Sequence, residues 1–446
     1  MKKLLILFFI PILFQACTYA NNLEYMNLSF WEKFNDNILV DNLIKVYENN
    51  HDLKAAVQKT NEANRIVKMS FANELPHIGF EGYVGRIFKS SDEVFGNITI
   101  PNYAETHYYL PLSMNYEIDI WGKNHLITKS KKKQFEIVKQ DERSAYIYIS
   151  SAFAVDYFNL IRCDKLIDCQ KQLITLQEQA INSYKIRYEY GTATLSEIDE
   201  AEKNLTYMKE DLHKLLEKQD MLKNQISTLL GDRAFEDINR SDYEDLNVSF
   251  TTPDSIDFNM LDKRPDRIKS KLDLERLGID IKVARRDLLP KFIITGNLGF
   301  NMYNLHSSHK FLADLGIVPV WDLFMGGRKL QLLKLKKNQF EIATQNYEKT
   351  ILTSIQETND ALYAMKTAEN IKTITNDRLN TDIKELGYTK IKEESGTADN
   401  IDLILQEEKL LISKKQTISS EINKIISAIN LYQALGGIDF TVNNNL

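Results

Sequence analysis

The chain is short of the residues that interrupt regular structure, with only 8 prolines and 17 glycines in 446 residues. Scarce breakers exclude an architecture of many short elements and favour a few very long ones. Beyond the first residues no run of about 18 or more apolar side chains occurs, which excludes a membrane-spanning helix in the mature protein. If the chain enters a bilayer, it does so as a closed β-barrel. Basic tracts are also missing, and the net charge of −6 is mild and interspersed, which argues against nucleic acid as a partner. Nucleotide-binding glycine loops, Gly-x-Ser-x-Gly elbows and His-Glu-x-x-His segments are all absent, so no catalytic residue and no cofactor is assigned. His306 and His309 lie close together but have no adjacent Cys or acidic partner, so no metal site is assigned either. Of the three cysteines, Cys163 and Cys169 are six residues apart on one predicted helix. They point about 240° around it and lie about 9 Å apart along its axis, too far for a disulfide. They read as small helix-packing residues.

What the chain does have is a repeated break between very long helical runs. Arg187-Tyr-Glu-Tyr-Gly-Thr-Ala-Thr-Leu-Ser-Glu197 returns as Lys392-Glu-Glu-Ser-Gly-Thr-Ala-Asp-Asn-Ile-Asp402, with Gly191 and Gly396 set 205 residues apart. The helix ends at Gly231 and Gly436 are 205 residues apart as well. Two helical hairpins of equal arm length follow from this. A glycine ends one arm in the left-handed region, and Thr192 or Thr397 is expected to help start the next.

The first residues form a targeting segment. Lys2 and Lys3 precede an apolar run from Leu4 to Phe14 that is too short to span a bilayer. Gln15-Ala16-Cys17 reads as a lipoprotein signal over residues 1–16, with Cys17 acylated; cleavage after Thr18-Tyr19-Ala20 is the alternative.

Helix is expected from Trp31 to Asn50 and from Asp52 to about Asn73, where Pro76 stops it. Strand alternation then runs through Ile78, Phe80, Gly82 and Val84, and resumes through Tyr108, Leu110, Leu112, Met114, Tyr116 and Ile118. From Lys123 to Tyr190 there is neither proline nor glycine, enough for about 100 Å of helix. The return arm places Ile198, Leu205, Leu212, Gln219 and Ile226 at sevenfold spacing, interleaved with Ala201, Met208, Leu215, Leu222 and Leu229. That is a coiled-coil seam with one polar interruption, at Gln219. After a polar junction from Asp232 to Ser255 the pattern replays: Pro290 matches Pro76, strands are expected over Phe292–Phe300 and about Leu315–Phe324, and a second rod runs from Lys329 to Ser395. Its return arm spaces Ile404, Leu411, Ile418, Ile425 and Tyr432 by seven, but Glu407, Lys414 and Glu421 weaken the seam. The reading divides the mature chain into two repeats, 17–240 and 241–446, each of helix, two strands, long helix, tip and return helix.

Four strands cannot close a membrane barrel, and open sheet edges are not tolerated in lipid. Several copies must share one barrel; three give twelve strands. Here the residues resemble a known family. Tyr116-Glu-Ile-Asp-Ile-Trp-Gly-Lys123, Lys263-Arg-Pro-Asp266, Trp31 through Leu53, the paired Gly-Thr tips and Leu435-Gly-Gly437 are similar to motifs of the outer-membrane factor family, the TolC- and OprM-like exit ducts of tripartite efflux systems, in its lipid-anchored drug-efflux branch. The resemblance covers nearly all of the mature chain. It implies a mainly α fold with a membrane β-barrel: a homotrimer with a twelve-stranded barrel and a long periplasmic tunnel of coiled-coil hairpins. It also implies a place in the outer membrane, docking to a periplasmic adaptor, and an inner-membrane pump of the resistance-nodulation-division type. A duct for type I protein secretion or for metal efflux is the alternative. A cytosolic coiled-coil scaffold leaves the signal segment and the strands unexplained, and a stand-alone porin or adhesin leaves the long helices unexplained.

Within that frame Glu197 and Asp402 fall on the acidic positions of the periplasmic gate, whereas the latch Arg and Tyr positions of some relatives are taken by Ala398 and Glu393. Three copies of Asp402 around one axis would repel one another unless screened; the other reading is that both acids cap the return helices. Gly191, Thr192, Ala193, Gly396, Thr397 and Ala398 form the expected adaptor-docking tips. Lys129, Lys131, Lys132 and Lys133 read as a solvated helix face, or as a contact with anionic surface groups. Asp119 and Asp322 read as helix-starting or lumen-facing carboxylates.

Overall fold

A computed structural model describes residues 23–89, 94–95, 98–99, 103–233, 237–246, 248, 250–303 and 310–441. Cys17, His306 and His309 lie outside the described residues.

The chain begins with two short helices, α1 (Leu23–Met26) and α2 (Leu28–Trp31), and a 3₁₀ turn over Glu32–Phe34. The single helix expected from Trp31 to Asn50 is therefore broken. Asn35 takes a positive φ of 52°, and Asp36 caps a new helix, α3 (Asn37–Asn49), by accepting from the Leu39 N–H at 3.0 Å. Asn50 then caps α4 (His51–Ala72), accepting from the N–H groups of Asp52 and Leu53 at 3.0 Å each.

Strands β1 (His77–Phe80) and β2 (Tyr83–Lys89) pair in one register with β5 (Tyr103–Ile118), so they are one interrupted strand. A small ribbon, β3 (Val94–Phe95) with β4 (Ile98–Thr99), sits off the main sheet. β6 (Lys291–Tyr303) pairs with β5 on one side and with β7 (Lys310–Val320) on the other, all antiparallel. The last strand ends at Val320, short of the expected Phe324. The order β1/β2–β5–β6–β7 leaves β1/β2 and β7 as the open edges of one copy.

The long rods are α5 (Lys123–Glu189) and α8 (Arg328–Glu394), 67 residues each, returned by α6 (Leu195–Leu230) and α9 (Asn400–Ala434). Helix α7 (Pro265–Arg286) has the 22 residues of α4, displaced by 214 positions. Below the sheet α4 packs on α5, α5 on α7 and α7 on α8; further down the order is α6, α5, α9, α8. No helix among the described residues is long and apolar enough to cross a membrane.

The core is a belt around the middle of the rods. Phe30, Trp31, Phe34, Tyr157, Phe158, Phe250 and Tyr432 bury their rings together, with Phe30 stacked on Tyr432 at 4.0 Å. Asp36 knots it, accepting from Tyr157 Oη (2.8 Å) and from Ser241 Oγ (2.9 Å) while it caps α3. Two of the resemblance motifs meet here. Arg264 is buried and donates to Asp266 and Glu357 at 2.7 and 2.6 Å and to the Ala434 carbonyl that ends α9. Gly436 (φ 71°) lies so close that a Cβ would stand 2.8 Å from Arg264 Cγ.

Candidate functional site

The two tips are built alike. At the first, the Gly191 N–H donates to the Tyr188 carbonyl (3.0 Å) and the Thr192 N–H to that of Arg187 (2.8 Å); at the second, Gly396 donates to Glu393 (2.9 Å) and Thr397 to Lys392 (2.9 Å). These are paired Schellman closures, with φ of 73° at Gly191 and 71° at Gly396. Thr192 Oγ1 and Thr397 Oγ1 each donate at 3.1 Å to the same carbonyls, Arg187 and Lys392. They close the descending helix; the return helices are started instead by Thr194 and Asp399. Nothing lies within 4 Å of where a Cβ would stand on Gly191 or Gly396, so the turns are open to approach. Ala193 and Ala398, by contrast, are half-buried against their own tips.

Glu197 is exposed and reaches back to the Thr194 N–H (2.7 Å) and Oγ1 (2.8 Å). The Thr194 backbone bond, its largest cause, and the hydroxyl bond lower its carboxyl's pKa. Asp402 reaches back in the same way at the second tip, its carboxylate accepting from the Asp399 N–H at 3.1 Å. Within one copy both acids thus serve as helix-starting carboxylates.

A contact absent from the sequence reading joins the tips. Arg187, in the last turn of α5, pairs with Asp399, and Asn400 Nδ2 donates to Ser183 Oγ at 3.3 Å. Arg187 carries no distinctive spacing; a basic residue in a last helical turn is what the helix dipole alone favours. A second missed feature lies higher up. Ile401, Glu408, Lys415, Ile422 and Ile429 recur by sevens on α9, and Lys415 Nζ donates to Gln170 Oε1 on α5 at 2.6 Å. Burial pushes the Glu408 carboxyl up to about 7 and lowers Lys415. The signal was legible as two charged residues in an otherwise isoleucine heptad.

Of the other singled-out residues, Cys163 and Cys169 are free and buried. Lys129, Lys131 and Lys132 are exposed, while Lys133 pairs with Glu136 (2.9 Å) and Glu275 (3.0 Å). Asp119 accepts from the His125 N–H (2.8 Å) at the start of α5, and Asp322 pairs with Lys329 (3.0 Å).

Paired 67-residue rods hung from an open antiparallel sheet define the protomer of an outer-membrane channel. The profile of the outer membrane efflux protein family matches residues 43–232 and 259–437, and the chain belongs to that family. It is 23% identical over 418 residues to the toluene efflux pump outer membrane protein TtgC of Pseudomonas putida, spanning 91% of this chain and 84% of that one. It is 20% identical over 430 residues to the cation efflux system protein CusC of Escherichia coli, spanning 93% and 89%. Its fold matches the outer-membrane channel OprN with a TM-score of 0.81 over 92% of each chain, at 19% identity. The chain is the outer-membrane component of an efflux pump, not an enzyme. Channels of this family form trimers and work with an adaptor and an inner-membrane pump.

Proposed function

We propose that three copies form the exit duct of a tripartite assembly that expels drugs and small toxic organic compounds, served by a pump of the resistance-nodulation-division type. The similarity to a toluene-efflux channel along 91% of the chain carries this reading. The repeats 17–240 and 241–446 each supply one hairpin, Cys17 bears the lipid anchor, and residues 1–16 are removed. Asp402 and Glu197 border the periplasmic constriction, where the Arg187–Asp399 pair holds the tips of each copy together. The turns at Gly191-Thr192-Ala193 and Gly396-Thr397-Ala398 receive the adaptor; the open space over both glycines supports this. Similarity to a cation efflux protein supports a second reading, a duct for metal ions. Deleting the gene and restoring it on a plasmid separates the two. Sensitivity to organic solvents and drugs that is reversed by the plasmid is the expected result; sensitivity to metal salts alone would replace it with the second reading.

A further inference from the structure

We infer the register in which one copy docks on the next, and that this boundary is without the ion pairs of the equivalent boundary inside the chain; the inference rests on the trimer reading above. The chain contains its own template. Helix α5 packs on α7, a long helix of one repeat on the short helix of the other. Five polar contacts fix their register: Lys123–Asp287 (3.2 Å), Arg286 to the Gly122 carbonyl (2.7 Å), Ser130–Asp280 (2.6 Å), Lys133–Glu275 (3.0 Å) and Lys269–Asp141 (2.6 Å).

Long helix α8 has the length of α5 displaced by 205 positions, and α4 has the length of α7 displaced by 214. Both α8 and α4 stand at the edges of the copy, as β7 and β1/β2 do in the sheet. Closing a ring repeats the α5–α7 contact between α8 of one copy and α4 of the next, a heterologous interface. Applying the two displacements turns Ser130–Asp280 into Leu335 against Ile66. These are exposed apolar side chains, 50% and 40% accessible, at opposite edges of a single copy. Lys133–Glu275 becomes Asn338 against Asn61, and Lys269–Asp141 becomes Ala55 against Asn346, all four exposed.

A second storey agrees. Between the hairpins Asn400 meets Ser183 inside the chain, and the same displacement sets Leu195 against Tyr388 of the next copy, again two exposed apolar side chains. Segments of one chain are brought together by the chain itself, so their boundary can be polar. Between copies the two apolar pairs supply surface to remove from water, and with no ion pair of the template repeated the boundary owes little to attraction that salt screens.

The test uses full-length protein extracted from membranes, carrying Leu335→Cys with Ile66→Cys, treated with a short thiol-to-thiol crosslinker and run on denaturing gels. Covalent dimers and trimers are expected from the double variant and from neither single one. Ile342→Cys with Ile66→Cys, two helical turns out of register, should give none, and the uncrosslinked parent trimer should persist in high salt. Asn338→Cys with Asn61→Cys repeats the test at exposed polar positions if the first pair fails to assemble. A trimer on native gels that crosslinks through Ile342 but not Leu335, or through neither Leu335 nor Asn338, overturns the register. A parent chain that runs as a monomer overturns the trimer reading itself.

Discussion

Glu408 is buried against the neighbouring hairpin, and its Oε1 has no hydrogen-bond partner among the described residues. Its carboxyl holds a proton up to about pH 7, whereas in the unfolded chain it releases one near 4.5. Between those values the folded state binds the extra proton, so its contribution is fully present at low pH and is lost as pH rises to about 7. Replacing Glu408 with Gln removes that loss, on the order of 3 kcal/mol. The variant should melt above the parent at pH 8 and with it at pH 4.5; equal melting at both would show the carboxyl to be solvated. Arg264 is the opposite case, a buried charge with every partner in place. Arg264→Ala takes one of two donors from the Ala434 carbonyl, which keeps Thr358 Oγ1 (3.3 Å), and removes the buried guanidinium from Asp266 and Glu357; it should cost about 2 kcal/mol, read as a lowered melting temperature by circular dichroism. In the sequence Arg264 was legible only as part of a motif, because Glu357 and the Ala434 carbonyl are 93 and 170 residues away.

The helices were the most legible elements, since heptads and an absence of breakers are local. None of the ten predicted seam positions of α6 is exposed, four being buried and six half-buried, and Gln219 finds Asp164 at 2.5 Å. What periodicity could not show is that the seam is also stitched from the other side. Cys163, Gln170 and Gln177, seven apart on α5, donate to the carbonyls of Leu215, Met208 and Ala201. The second seam reads as weak because Glu407, Lys414 and Glu421 interrupt it, yet the residue before each is engaged: Gln406, Ser413 and Ser420 meet Glu385, Asp382 and Thr375. The break at Asn35 was not legible, because Asn35 and Asp36 are short polar residues that a helix also accommodates, and the Asp36 cap is fixed by distant Tyr157 and Ser241. At the tips the glycines were read correctly, but the hydroxyls of Thr192 and Thr397 were assigned to the wrong helix. Ser196 is exposed beside the first turn, so Ser196→Trp should leave trimers intact and abolish adaptor capture. Undiminished capture would clear that face of a docking role.

At the scale of the assembly, the gate acids have a job in each copy whether or not they line the pore. Glu197→Gln with Asp402→Asn keeps an acceptor for each helix start while removing six charges from a trimer. Single-channel conductance should change and block by divalent cations should weaken; recordings that match the parent at low and high salt place these acids away from the permeation path.

The equal length of α5 and α8 has one further consequence, for how such a molecule can change in evolution. Each residue added to a helix turns everything beyond it by about 100° and advances it by about 1.5 Å. An insertion of one residue in α5 would rotate its seam away from α6 and leave its tip out of step with that of α8. Only changes in steps of seven keep every stripe facing its partner, and only matched changes in all four arms keep both tips at one depth. The duct therefore has a quantised length: it can be lengthened or shortened by whole heptads, about 10 Å at a time, and both halves of the gene must be edited together.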